Sequence, residues 1–151
     1  MKTTKRFENA VMKLYKAFHE NRLNATDCTA CAVGNICDNS DDWKNNFGHA
    51  LCLDYNNGLI LKLEEYPKTK TAYFKNGYNQ DELHNVEKVF LNYWLNKPHS
   101  SGKTDKDLQF KGLCAVVEYL AELDNIPNPM DYSRLFETQN DKPIYELKEV
   151  F

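Results

Sequence analysis

A chain of 151 residues with 42% apolar and 27% charged side chains has the size and composition of one globular domain, able to bury a core without disulfides. Its net charge of −3 does not supply the broad positive field that holds phosphate backbones, which excludes nucleic acid as an expected partner. No stretch approaches the roughly 18 consecutive apolar residues of a membrane span, so the expectation is one soluble, cytoplasmic domain over residues 1–151 with no membrane partner.

Residues 4–20 place Phe7, Val11, Leu14 and Phe18 at helical spacing among Lys, Arg and Glu, which predicts an amphipathic first helix. The stretch that follows, TDCTACAVGNIC, holds three of the five cysteines. If Asp27 caps a helix there, Cys28 occupies its first position. Between residues 50 and 75 two periodicities compete. LCLDYNNGLILKL alternates about Asn57-Gly58 as a hairpin would, while Leu59, Leu63 and Tyr66 suit a helix. A mainly helical segment is favoured, with a short β-hairpin near residues 50–64 as the alternative.

Asn79 followed by Glu82 forms a capping box before Leu83, Val86, Phe90, Tyr93 and Trp94, predicting a helix over about 80–95. Thr104 followed by Asp107 repeats that logic before LQFKGLCAVVEYLAEL, whose 113–117 segment is apolar all round and reads as the central buried helix. Pro129 suits the first turn of a short helix, MDYSRLFE, that offers Leu135 and Phe136 to the same core. Segments 96–103 and 138–143 read as polar connectors. The predicted fold is therefore mainly α, a single-domain helical bundle.

Chemistry concentrates in the cysteines. An odd cysteine count without an export signal argues for free or metal-bound thiols rather than a disulfide framework. Cys28 and Cys31, in Cys-x-x-Cys spacing, supply half of a tetrahedral site for a soft or borderline metal. His49 and Cys52 would complete it as Cys-x2-Cys-x17-His-x2-Cys, with Cys37, His19 or Cys114 as substitutes. Structural zinc is the expected cofactor, ahead of an iron–sulfur cluster. A second reading makes Cys28 and Cys31 an exchanging dithiol, with Cys28 activated at a helix N-terminus. The third is a metal-free module that binds an unknown protein partner, its cysteines acting as small buried hydrophobes.

Other patterns are weaker. DNSDD lacks the Gly and Glu that a calcium loop needs at its sixth and twelfth positions, which are Trp43 and His49. SGKT lacks the earlier Gly and the preceding strand of a phosphate loop. A cysteine hydrolase would need His19 or His49 beside Cys28, with no orienting third residue recognisable. His84 and His99 read as surface residues.

The stretches CTACAVGNI, FKNGYNQDELHNVEKVFL, GLCAVVEYLAELD and MDYSRLFE resemble a family of small bacterial proteins often labelled as a component of the sodium-translocating NADH:quinone reductase. The resemblance runs from the first helix to about residue 145. It implies one intact domain, a link to NADH:quinone electron transfer, and Cys114 as a further candidate partner for Cys28 and Cys31. The reductase component proper joins a membrane anchor and a plant-type ferredoxin domain to a flavin- and NADH-binding domain. This chain lacks a Gly-rich dinucleotide fingerprint, so neither flavin nor NAD is expected. Its Cys28-x2-Cys31-x5-Cys37 order also differs from the plant-type Cys-x4-Cys-x2-Cys run.

Overall fold

The structure, a computed structural model, describes residues 3–40, 73–94 and 105–151 in full and the backbone of 52–54 and 58–60. Helix α1, Lys5–His19, starts where the Thr4 side chain accepts the Phe7 N–H. Its predicted stripe is the buried one: Phe7, Val11 and Leu14 are fully buried and Phe18 almost so. A short α2, Ala32–Ile36, follows.

Strands β1, Cys52–Asp54, and β2, Gly58–Ile60, pair antiparallel with Leu53 opposite Leu59. The hairpin thus prevails over the favoured helix at these positions; the rest of that segment lies outside the described residues. Helix α3, Gln80–Leu91, carries the capping box as read, with Asn79 Oδ1 accepting from Glu82 N–H at 2.8 Å and Glu82 Oε1 from Asn79 N–H at 3.0 Å. A 3-10 turn over Asn92–Trp94 tightens its end, burying Trp94 and leaving Tyr93 outside the stripe, 40% exposed.

Helix α4, Lys106–Leu123, is the central one, packing against α1, α3 and the segment that follows it. Its cap is Asp105, whose side chain accepts the Leu108 N–H, one residue beyond the expected Thr104. Gly112 lets α3 come close, because a Cβ there would stand 2.7 Å from both Cδ1 and the carbonyl oxygen of Phe90. The α3 and α4 backbones meet through this gap.

Helix α5, Met130–Ser133, begins after Pro129 and passes into a 3-10 turn over Arg134–Phe136, which buries Leu135 and Phe136 as predicted. The supposed connector 138–143 is instead a hairpin, β3 (Thr138–Gln139) with β4 (Lys142–Pro143), turned by Asn140 and Asp141 at positive φ. Helix α6, Leu147–Val150, closes the chain. The fold is mainly helical, six described helices packed together, and among the described residues no helix is long and apolar enough to cross a membrane.

Candidate functional site

The Cys28–Cys31 turn hangs between α1 and α3 on a network of backbone and amide hydrogen bonds. Cys31 N–H and Ala30 N–H both donate to Asp27 O, at 2.7 and 2.9 Å, making residues 27–31 a single α-like turn. Asp27 Oδ1 accepts from Thr29 N–H and Oγ–H, at 2.9 and 2.7 Å. Asp27 therefore caps this turn and not a helix carrying Cys28 first. The residue at the N-cap of α2 is Cys31, whose sulfur accepts the Gly34 N–H at 3.3 Å.

Asn35, almost fully buried, holds the turn from below, its Nδ2 donating to Ala30 O at 2.8 Å and Cys31 O at 2.9 Å. Asn39 Nδ2 reaches Thr29 O at 3.0 Å. The turn is thus fixed by two amides that cysteine spacing does not flag. Their signal in the sequence is the CxxCxxxNxxxN run of residues 28–39, which repeats an amide at helical spacing behind Cys31.

The two thiols differ. Cys28 is half-buried and Cys31 is 1% exposed. The Cys31 thiol donates to the Cys28 carbonyl oxygen at 3.5 Å, and the charge of Glu87 on α3 acts on it. Glu87 is itself 2% exposed, one of few buried charged groups. Burial first, and Glu87 second, push the Cys31 thiol well above its ordinary range, so at neutral pH it is protonated.

The remaining candidates lie apart. Cys37, at the C-cap of α2, accepts a hydrogen bond from Asn76 Nδ2 at 3.3 Å and lines a small cavity with Ile36, Phe74 and Lys75. Cys114, on α4, is half-buried; burial raises its thiol and a hydrogen bond to Ser133 opposes that. It does not join Cys28 and Cys31. Cys52 lies in β1, and His49 lies outside the described residues. Among the described residues, no group of three or more His, Cys, Asp and Glu side chains is placed to hold a metal ion.

The histidines also move from their expected places. His84 is buried, 5% exposed, rather than on the surface, because α3 turns Gln80, His84 and Glu87 inward together. His19 bonds Leu135 O through Nε2 at 2.7 Å, away from the dithiol, and burial lowers its pKa. It borders a groove of about 610 Å³ whose Lys106 ammonium bonds Phe18 O and stands 3.9 Å from the Phe18 ring centroid. Those polar groups are engaged within the protein.

Compared with protein-family models, curated proteins and solved structures, the chain matches none of them.

Proposed function

We propose that Cys28 and Cys31 form a dithiol that exchanges two electrons with a disulfide on a partner molecule. The observation that carries this reading is the asymmetry of the pair: a partly buried thiol and a fully buried one on one turn. Cys28, as the thiolate, attacks one sulfur of the incoming disulfide and expels the other, which takes up a proton. Cys31 then loses its proton and attacks the Cys28 sulfur, closing the intramolecular disulfide and releasing the second thiol. Two electrons and two protons pass to the partner, and every bond broken is matched by one formed. The resemblance to proteins that carry a quinone reductase label favours the same class of chemistry, electron transfer.

The test is equilibration in glutathione buffers followed by alkylation and mass spectrometry. One Cys28–Cys31 disulfide should form, half-complete at a potential between roughly −270 and −180 mV, the span of exchanging dithiols. A pair that remains as two thiols under full oxidation removes the reading.

Structural zinc is the second reading, favoured by the Gly34 N–H bonded to the Cys31 sulfur, a contact that also steadies a metal-bound thiolate. His49 and Cys52 would then complete the site, since Cys37 is held by Asn76 and Cys114 by Ser133. Elemental analysis of anaerobically purified protein discriminates. About one equivalent of colourless metal supports zinc and a brown, absorbing sample supports iron–sulfur.

A further inference from the structure

The groove of about 610 Å³ beside His19 opens between the end of α1, the first turns of α4 and the β3–β4 hairpin. That is the size of a small-molecule site, and it shares no residue with the cysteine turn. Its apolar lining is aromatic, with Phe18 and Phe136 buried and Phe110 part-buried. Its charged lining has both signs. Lys106, from α4, spends one N–H on Phe18 O and lies over the Phe18 ring, which leaves two of its three ammonium donors. Partly stripped of water, such an ammonium attracts an anion more strongly than one in bulk solvent.

The hairpin supplies the opposite charge, with Asp141 at its turn and Glu137 at its base, both lining the groove. Asp107 lines it too but is paired with Lys111 at 3.2 Å. Asp141 acts on Lys106, yet among the described residues Lys106 closes no ion pair. Opposite charges therefore border one space without meeting in it. His19 adds an acceptor: its Nε2 is held by Leu135 O and burial favours the neutral ring, so Nδ1 carries no proton. A simple anion here would meet Glu137 and Asp141, and a simple cation would meet Lys106. A zwitterion completes the open pair from both sides.

We propose that this groove binds a free amino acid with a large apolar side chain. The ligand carboxylate takes the two remaining N–H donors of Lys106, its ammonium faces Asp141 and Glu137, and its side chain lies against Phe110 and Phe136. The site is independent of the dithiol reading and is tested apart from it.

The test is an NMR titration of the whole, reduced chain with L-phenylalanine and two analogues that each lack one charge, 2-phenylethylamine and 3-phenylpropionate. Phenylalanine should shift the amide signals of Lys106, Phe110 and Asp141 saturably. Each analogue should bind about tenfold more weakly, having lost the charge-assisted hydrogen bonds at one end. Asp141→Asn keeps the hairpin turn, because asparagine tolerates the positive φ of this position. It should weaken phenylalanine about tenfold and leave 3-phenylpropionate no weaker than before. Lys106→Met, which retains the apolar stem, should erase the preference for phenylalanine over 2-phenylethylamine. If that variant fails to fold, Asp141→Asn decides alone. The proposal is overturned by no saturable shift up to the solubility limit of phenylalanine, by an analogue that binds as tightly, or by unchanged phenylalanine binding in Asp141→Asn.

Discussion

Gly34 lies beneath the dithiol turn, and its missing side chain is what allows the turn to sit there. A Cβ at this position would be 2.5 Å from the Cys28 carbonyl oxygen and 2.5 Å from the Thr29 carbonyl carbon, both backbone atoms that cannot swing aside. Gly34→Ala should therefore push Cys28 and Thr29 off α2 and cost about 1–3 kcal/mol as overpacking. The urea midpoint reads the loss, and the fraction of Cys28–Cys31 disulfide in a fixed glutathione buffer should fall with it. At the same scale, Cys31 ties stability to pH. Its folded pKa is raised, by burial and then by Glu87, so its contribution is fully present below the ordinary thiol value of about 8.5 and is lost as pH rises through the folded value. The stability advantage of the parent over Cys31→Ala should shrink between neutral pH and pH about 10, read from paired urea titrations; a constant difference would refute it.

Between elements, the strongest polar tie joins the start of α1 to the end of α4. Arg6 Nε lies 3.1 Å from both carboxylate oxygens of Asp124, Arg6 Nη1 donates to Gly77 O at 2.7 Å, and the guanidinium stands 4.5 Å from the Tyr78 ring centroid. Thr4, the cap of α1, also donates to Asp124. One arginine thus anchors α1, the turn before α3 and the end of α4. Arg6→Ala leaves Asp124, with its side chain only 7% exposed, without its cation and should destabilise by about 2–4 kcal/mol, measured by thermal or urea unfolding. The same pair predicts acid sensitivity. Arg6 and then Thr4 hold the Asp124 carboxyl below its usual value against burial, so its contribution is present above about pH 3.9 and lost as pH falls through the depressed value. Parent and Arg6→Ala should converge in stability below that range.

How far the sequence reveals this molecule depends on which interactions are local. The stripes of α1 and α3, the Asn79–Glu82 box and the burial of Leu135 and Phe136 arise from residues three or four apart, and the pattern exposes them. Asp105 displaces Thr104 because two adjacent capping residues differ only in where the helix happens to begin. The Cys-x-x-Cys unit is visible, yet which thiol is buried is not. Cys31 becomes the α2 cap through Gly34, and the charge of Glu87 acts on it from a helix far along the chain, which no spacing rule connects. His84 escapes for a related reason: its polar neighbours in sequence face outward while its own side of α3 turns in.

At the scale of the whole molecule, the two readings of the cysteine turn differ most in what holds the chain folded. The core runs continuously through α1, α3, α4 and the Arg134–Phe136 turn, anchored by Phe7, Leu14, Leu83, Phe90, Trp94 and Phe136, all fully buried, with Cys31 a small member of the same cluster. Closing a disulfide across four residues removes little freedom from the unfolded chain, about 2 kcal/mol by the loop-entropy relation. Against it stands the loss of the Cys31 hydrogen bond to the Cys28 carbonyl, about 0.5–1.5 kcal/mol. The two partly cancel, so oxidised and reduced protein should melt within about 6 °C of each other, given roughly 2–4 °C per kcal/mol at this size. A structural zinc would contribute about 10–16 kcal/mol in total, so a strong chelator would collapse the melting transition. Calorimetry of the reduced, oxidised and chelator-treated protein is therefore expected to give three nearly coincident transitions. A transition lost only on chelation would assign the turn to metal, with His49 and Cys52 as the first ligands to test.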